Sequence, residues 1–248
     1  MFVLLNTNSK SKTMKAIFFA SFLAIVLVNT WAQEKDSSGL SLNLGADVVS
    51  RYIWRGQANS SSPAIQPTLS LNYKNISFGS WASYTTSNND LQEVDLFLTY
   101  KIGGFTVGLN DYFMSSDSLD DLYFNWKNKE TGHTLEPFIT YSEIAGTPLS
   151  LTAAVFAYGD DLDENEDNYY SSYLELSFAK TLGNIDYNIF CGGTFGKGYY
   201  ADDMNIVNVG ITLTKTIEIT PSFSLPCNGS FVINPSTENV FVVFGITF

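Results

Sequence analysis

Along most of this chain apolar residues alternate with polar or small ones in runs of roughly ten. A period of two sends successive side chains to opposite faces of a strand, and tilted strands of this length cross a bilayer. The clear runs are 40–52, 65–73, 94–102, 105–113, 149–157, 185–193, 207–213 and 217–225; weaker ones are 76–84, 135–141 and 170–178. With 240–248 the pattern predicts about twelve strands. Their connections are of two kinds. Lys74-Asn75, Gly103-Gly104, Leu182-Gly183-Asn184 and Lys215-Thr216 read as tight turns, whereas 56–63, 85–90, 159–168, 196–203 and 234–239 read as longer polar loops. Short turns on one side and long loops on the other is the pattern of an outer-membrane barrel. Leu122-Tyr123-Phe124-Asn125-Trp126 could form a thirteenth strand, but that count puts the acidic run 159–168 on opposite sides when strands are numbered from the two ends. Residues 115–132 are therefore read as one long outer loop. The expectation is an all-β, transmembrane, antiparallel up-and-down β-barrel in a single domain, 33–248.

Both ends of the chain agree with export to a membrane. Residues 240–248 form an uncharged alternating strand, an exposed edge that a soluble protein rarely leaves open but that a barrel closes by pairing it with its first strand. Val240, Val242, Phe244, Ile246 and Phe248 would face lipid, and Phe241, Val243, Gly245 and Thr247 the interior. Phe244, Ile246 and Phe248 also resemble the terminal signal recognised by the bacterial barrel-assembly machinery. At the other end, Lys10, Lys12 and Lys15 precede an uncharged stretch, 16–28, that closes on Thr30-Trp31-Ala32. This reads as a cleaved signal peptide, 1–32, with Met14 as an alternative start. About 13 apolar residues are too few for a membrane-spanning helix, and no cysteine stands at the cleavage point to carry a lipid anchor. The expected location is the outer membrane of a Gram-negative bacterium, in contact with its lipid.

Composition narrows the function. Charged residues are 15% of the chain and aromatic residues another 15%, against about 25% charged in an ordinary soluble domain; rings in this number suit the two interfaces of a membrane. A net charge of −12 with no basic patch excludes a nucleic-acid partner. Cys191 and Cys227 fall on the apolar face of strands that are not neighbours, so they are expected free.

If the apolar positions meet lipid, the alternate ones line the lumen. That assigns Asp47, Arg51, Arg55, Trp81, Glu93, Asp95, Lys101, Glu136, Glu175, Asp186 and Glu218 as pore-lining candidates, with Lys74 and the polar positions Asn72, Thr99, Asn110, Asn188 and Asn208. An excess of carboxylates favours small cationic solutes or ions, although a narrow barrel can instead fill its interior with paired side chains and conduct nothing. Other motifs do not carry chemistry. The acidic run at 160–167 lacks the turn glycine and the bidentate glutamate of a calcium loop. Gly192-Gly193-Thr194-Phe195-Gly196-Lys197-Gly198 lacks the Ser/Thr and the helix of a phosphate loop. His133, the only histidine, is placed in a loop beside Lys127 and Lys129, with no nucleophile to serve and no partner for a zinc site. The expectation is no enzyme, no cofactor and no metal.

One stretch carries a resemblance. Asp47-Val48-Val49-Ser50-Arg51-Tyr52-Ile53-Trp54-Arg55-Gly56, then Pro63-Ala64-Ile65-Gln66-Pro67 and Phe78-Gly79-Ser80-Trp81-Ala82-Ser83, is similar to the TorF-type porin family, as are 93–100 and the closing Asn234-Pro235 and 243–248. The long loop 115–132 departs from it. The resemblance implies an outer-membrane barrel with channel activity, passive and for small solutes. The alternative is a non-conducting barrel that acts through its outer loops as a scaffold or adhesin.

Overall fold

The structure, a computed structural model, describes residues 39–87, 92–115 and 123–248. The expected signal peptide and the segment 33–38 lie outside the described residues, as do 88–91 and 116–122. Fifteen strands follow in chain order: β1 (Leu40–Val49), β2 (Ile53–Trp54), β3 (Gln57–Ala58), β4 (Ala64–Tyr73), β5 (Ile76–Thr85), β6 (Gln92–Ile102), β7 (Phe105–Ser115), β8 (His133–Tyr141), β9 (Leu149–Val155), β10 (Tyr158–Gly159), β11 (Ser172–Leu182), β12 (Ile185–Thr194), β13 (Asn205–Thr220), β14 (Phe223–Asn234) and β15 (Asn239–Thr247). Twelve of them form the wall, each antiparallel to its neighbours. The wall closes because β8 pairs with β9 and β1 with β15. At the seam Asp47 stands opposite Thr247 and Val49 opposite Gly245, and Ala46 and Phe248 exchange both backbone hydrogen bonds.

Alternation decides what each strand shows outside. Leu40, Leu42 and Leu44 of β1, Leu69 and Leu71 of β4, Leu98 and Ile102 of β6, Val107 and Leu109 of β7, and Val240, Val242 and Phe244 of β15 are all exposed. Phe244 keeps 65% of its surface free. No aqueous protein leaves so continuous an apolar wall unpartnered. Beside the tight turns Tyr73, Tyr100, Phe105, Tyr141 and Phe223 form an exposed aromatic girdle, and Phe105 stacks on Tyr141 of the next strand at 4.5 Å. The opposite face points inward, where cross-strand pairs such as Thr140–Thr152 (2.9 Å) and Thr212–Ser230 (2.8 Å) bond to each other.

The strand count matches the periodicity, but two boundaries move. Lys215-Thr216 is no turn. Lys215 stands opposite Cys227 and Thr216 opposite Pro226 within the ladder, and the reversal comes at Pro221-Ser222, so that β13 runs for 16 residues. Neither Lys nor Thr demands a reversal, whereas a proline ring fixes φ and withholds an N–H from the ladder. The first strand also stops at Val49 rather than at 52, since the chain then turns into the barrel. Of the candidate thirteenth strand, Leu122 lies outside the described residues, 123 and 124 form a turn, and 125 and 126 have no regular structure. The free cysteines are as expected.

Candidate functional site

The lumen is entered from the long-loop end by a part of the chain that periodicity assigned to the wall and to a loop. Strands β2 and β3 pair Ile53 with Ala58 and Trp54 with Gln57 around a two-residue turn. Arg55 (φ 49°) and Gly56 (φ 77°) both take positive φ there, the combination that lets a two-residue hairpin follow strand twist. The hairpin is pinned at two points: Asn234 Nδ2 of the wall donates to the Gly56 carbonyl at 3.1 Å, and the Gln57 side chain donates through Nε2 to the carbonyl of Tyr200, in the loop after β12, at 3.1 Å. A Cβ on Gly56 would stand 1.9 Å from the Val207 carbonyl oxygen. This approach is possible because β13 has an irregular register with β12 at Gly192/Gly193, where Val207 has no partner.

Trp54 sits at the centre of an aromatic cluster, with ring centroids 5.3 Å from Tyr112, 6.3 Å from Phe156, 6.0 Å from Tyr199 and 5.9 Å from Tyr200. Arg55 reaches past it to Glu136 of β8, forming a two-pronged ion pair, and donates to the Tyr200 hydroxyl at 2.5 Å. Its guanidinium lies over the rings of Trp54 (4.5 Å) and Tyr173 (4.3 Å). Glu136 is fully buried and also accepts from Tyr112 (2.7 Å) and Asn110 (3.3 Å). A buried carboxylate with this many donors is satisfied, the condition under which a buried ion pair is tolerated.

The remaining candidates divide by place. Glu93 and Asp95, two apart on β6, are both buried; Tyr52 hydrogen-bonds Glu93, while the Asp95 Oδ1 has no hydrogen-bond partner. Trp81, opposite Asp95 in register, packs against Tyr52 with centroids 5.2 Å apart. Glu175 accepts from Tyr173 and from Asn208 (3.0 Å), and Asp47 accepts from Thr247 at the seam. Arg51 donates through Nε to the Ser60 carbonyl at 2.7 Å and lies 5.5 Å from the Phe241 ring centroid. Lys101, Asp186 and Glu218 are exposed at strand ends beside the tight turns, and Asp186 accepts from Thr181 at 2.6 Å. They are not brought together with the hairpin. On β15 Phe241 and Val243 point inward, as the alternation at 240–248 predicts, and pack with Val232, Val49, Ile53 and Phe190, so one side of the lumen is apolar.

His133 is a correction. It opens β8 fully buried instead of lying in a loop. Its Nδ1 lies 2.8 Å from Asp111 Oδ1 and its ring stacks on Trp126 at 3.8 Å. Asp111, Phe113 and His133 share the outward face of β7 and β8 with Phe105, Val107 and Leu109, so residues 123–126 cover the outside of the wall at its long-loop end. In the acidic run, Asp161 accepts from both Ser171 N (2.8 Å) and Ser171 Oγ (2.6 Å). Asp163 accepts the Asn165 and Asp167 N–H groups, which hold its carboxyl below the usual range. These acids bind their own loop. Among the described residues no cluster of His, Cys, Asp and Glu could hold a metal.

Tyr112, Tyr173 and Tyr200 are lumen residues outside the sequence candidates. Tyr112 and Tyr173 alternate with outward-facing Leu and Phe positions, a signal that was present in the sequence; Tyr200 lies in a loop, where period says nothing.

No curated protein matches the chain significantly. Solved structures that match include OccK1 (OpdK) of Pseudomonas aeruginosa, at 11% identity and TM-score 0.36, over 86% of this chain and 66% of that one. Another is an outer membrane channel of Pseudomonas putida F1, at 13% identity and TM-score 0.41, over 88% of this chain and 97% of that one. The chain thus spans just under two thirds of the length of the first. A family model described as "bacterial protein of unknown function" matches residues 32–223, which is most of the barrel. The chain belongs to that family, Gcw_chp.

Proposed function

We propose that this protein is a passive channel of a Gram-negative outer membrane, carrying small solutes through a lumen narrowed by its own β2–β3 hairpin. The observation that carries the reading is the closed twelve-strand wall, apolar outside and lined inside by charged and amide side chains. A wall of this kind is stable in lipid because every strand edge is paired. The resemblance to TorF-type porins at 47–83 and the printed name of the P. putida neighbour are in keeping with it. Among the lumen candidates Glu175 and Asp47 outnumber Arg51, and Glu136 already neutralises Arg55, so the passage leans toward cations. The expected partners are lipid, the assembly machinery and the solute. Planar-bilayer recording of refolded protein under a salt gradient is the test. Discrete steps with a cation-selective reversal potential are expected; folded protein that stays silent would sink the channel.

The aromatic filling around Trp54 favours a second reading, a barrel that conducts nothing and acts through its outer loops. In that case Arg55→Ala would loosen the hairpin without opening any conductance.

A further inference from the structure

Below the hairpin lies a cavity of about 270 Å³ whose lining contains two arginines and no acid. That is against the trend of a chain with 25 acidic and 13 basic residues. The two arginines are not equivalent. Arg55 is committed to Glu136, whereas Arg51 has no carboxylate within ion-pair distance among the described residues. Its Nε is spent on the Ser60 carbonyl and its flat face is turned to Phe241. Ser60 is buried and fixed in turn, accepting from Tyr52 N at 2.8 Å and donating to the Ser62 carbonyl at 2.9 Å. What remains is the terminal pair of nitrogens, held in place and spaced to grip two oxygens at once. Val49, Ile53, Phe190, Val232 and Val243 form an apolar side of the same cavity, and Gln66, Asn228 and Ser230 offer neutral polar groups. A mostly apolar concavity with one charged group and a few amides is how small-molecule sites are built.

We propose that this cavity is a binding subsite for the carboxylate end of a small organic anion with an apolar body, and that Arg51 is the residue that grips it. The inference rests on the channel reading only in supposing that the occupant reaches the cavity through the lumen; the site is one local positive group in a passage whose carboxylates still favour cations, and binding itself needs no conduction. The cavity's size limits the body to about one ring or a short branched chain.

The test is calorimetric titration of the refolded full chain in detergent with benzoate, benzamide and benzylamine, which share a ring and differ in charge. Saturable binding of benzoate at least about tenfold tighter than of the other two is expected, the order of effect of one charge-assisted contact. Arg51→Gln should weaken benzoate by about tenfold or more, Arg51→Lys should retain part of the affinity, and Lys127→Gln, in an exposed loop, should change nothing. Heat-modifiable gel mobility reports whether each variant is folded. Should Arg51→Gln fail to fold, the three-probe comparison on the unaltered protein still decides. Equal binding of benzoate and benzamide, no saturable benzoate binding, or an Arg51→Gln variant that binds like the parent would overturn the proposal. Conductance measured alongside keeps the two readings apart. Binding without conductance removes the channel and leaves the subsite; conductance without binding does the reverse.

Discussion

Arg55 has a non-glycine backbone in the left-handed region, a conformation that costs energy wherever it occurs, and the side chain explains why it persists. Its ion pair, its hydroxyl contact and two ring faces all depend on the hairpin being inside. Arg55→Ala leaves Glu136 buried without a counter-charge, a loss on the order of 3–5 kcal/mol for a pair of this kind. The expected readout is a lower unfolding temperature by gel mobility, together with larger single-channel steps. Gly56→Ala reaches the same hairpin by another route, since its Cβ would collide with the Val207 backbone; it should raise conductance while leaving the Arg55 charge in place. At this scale the sequence announced which face Glu93, Asp95, Glu136 and Glu175 would occupy, because parity along a strand is local. It could not pair Arg55 with Glu136, which lie 81 residues apart, because a partner across a lumen leaves no periodic trace.

Strands were legible where alternation was strict and ambiguous where two periods ran together. Residues 205–234 show this. Apolar and polar positions continue through Lys215-Thr216 without a phase change, and only the proline at 221 marks the reversal. The long loops are a different kind of element, held by their own side chains. Asp163 accepts two backbone N–H groups that favour its ionised form. A carboxyl with a depressed folded value contributes order above the ordinary aspartate range and loses it as pH falls through that lower value. Acid protease cleavage at 160–168 should therefore rise only at the acidic end of its working range. Asp163→Ala should abolish that dependence and give fast cleavage throughout.

As a whole the molecule presents lipid-like surface around its twelve-strand wall, so it should need detergent for extraction and migrate differently on gels before and after heating. Buffer extraction without detergent would sink the membrane assignment. Fold class was the most legible property of all, since twelve alternating runs allow few other solutions. The blocked mouth was the least legible, because residues 50–58 read equally well as more strand, and what turns them inward is the fit of Trp54 among rings from distant parts of the chain. Removing Phe248, which exchanges two backbone bonds with Ala46, should lower the yield of folded barrel in refolding assays more than Phe244→Ala does.

The seam has a kinetic meaning too. Eleven of the twelve junctions in the wall join strands that follow one another along the chain, and each can form as a local hairpin. The twelfth, between β1 and β15, brings together residues about two hundred positions apart through three paired positions. Loop-closure entropy falls almost entirely on that one step. An open, curling sheet with both edges unpaired is therefore the state that waits longest on the way to the barrel, and the time it spends there is the time in which it is exposed to wrong partners.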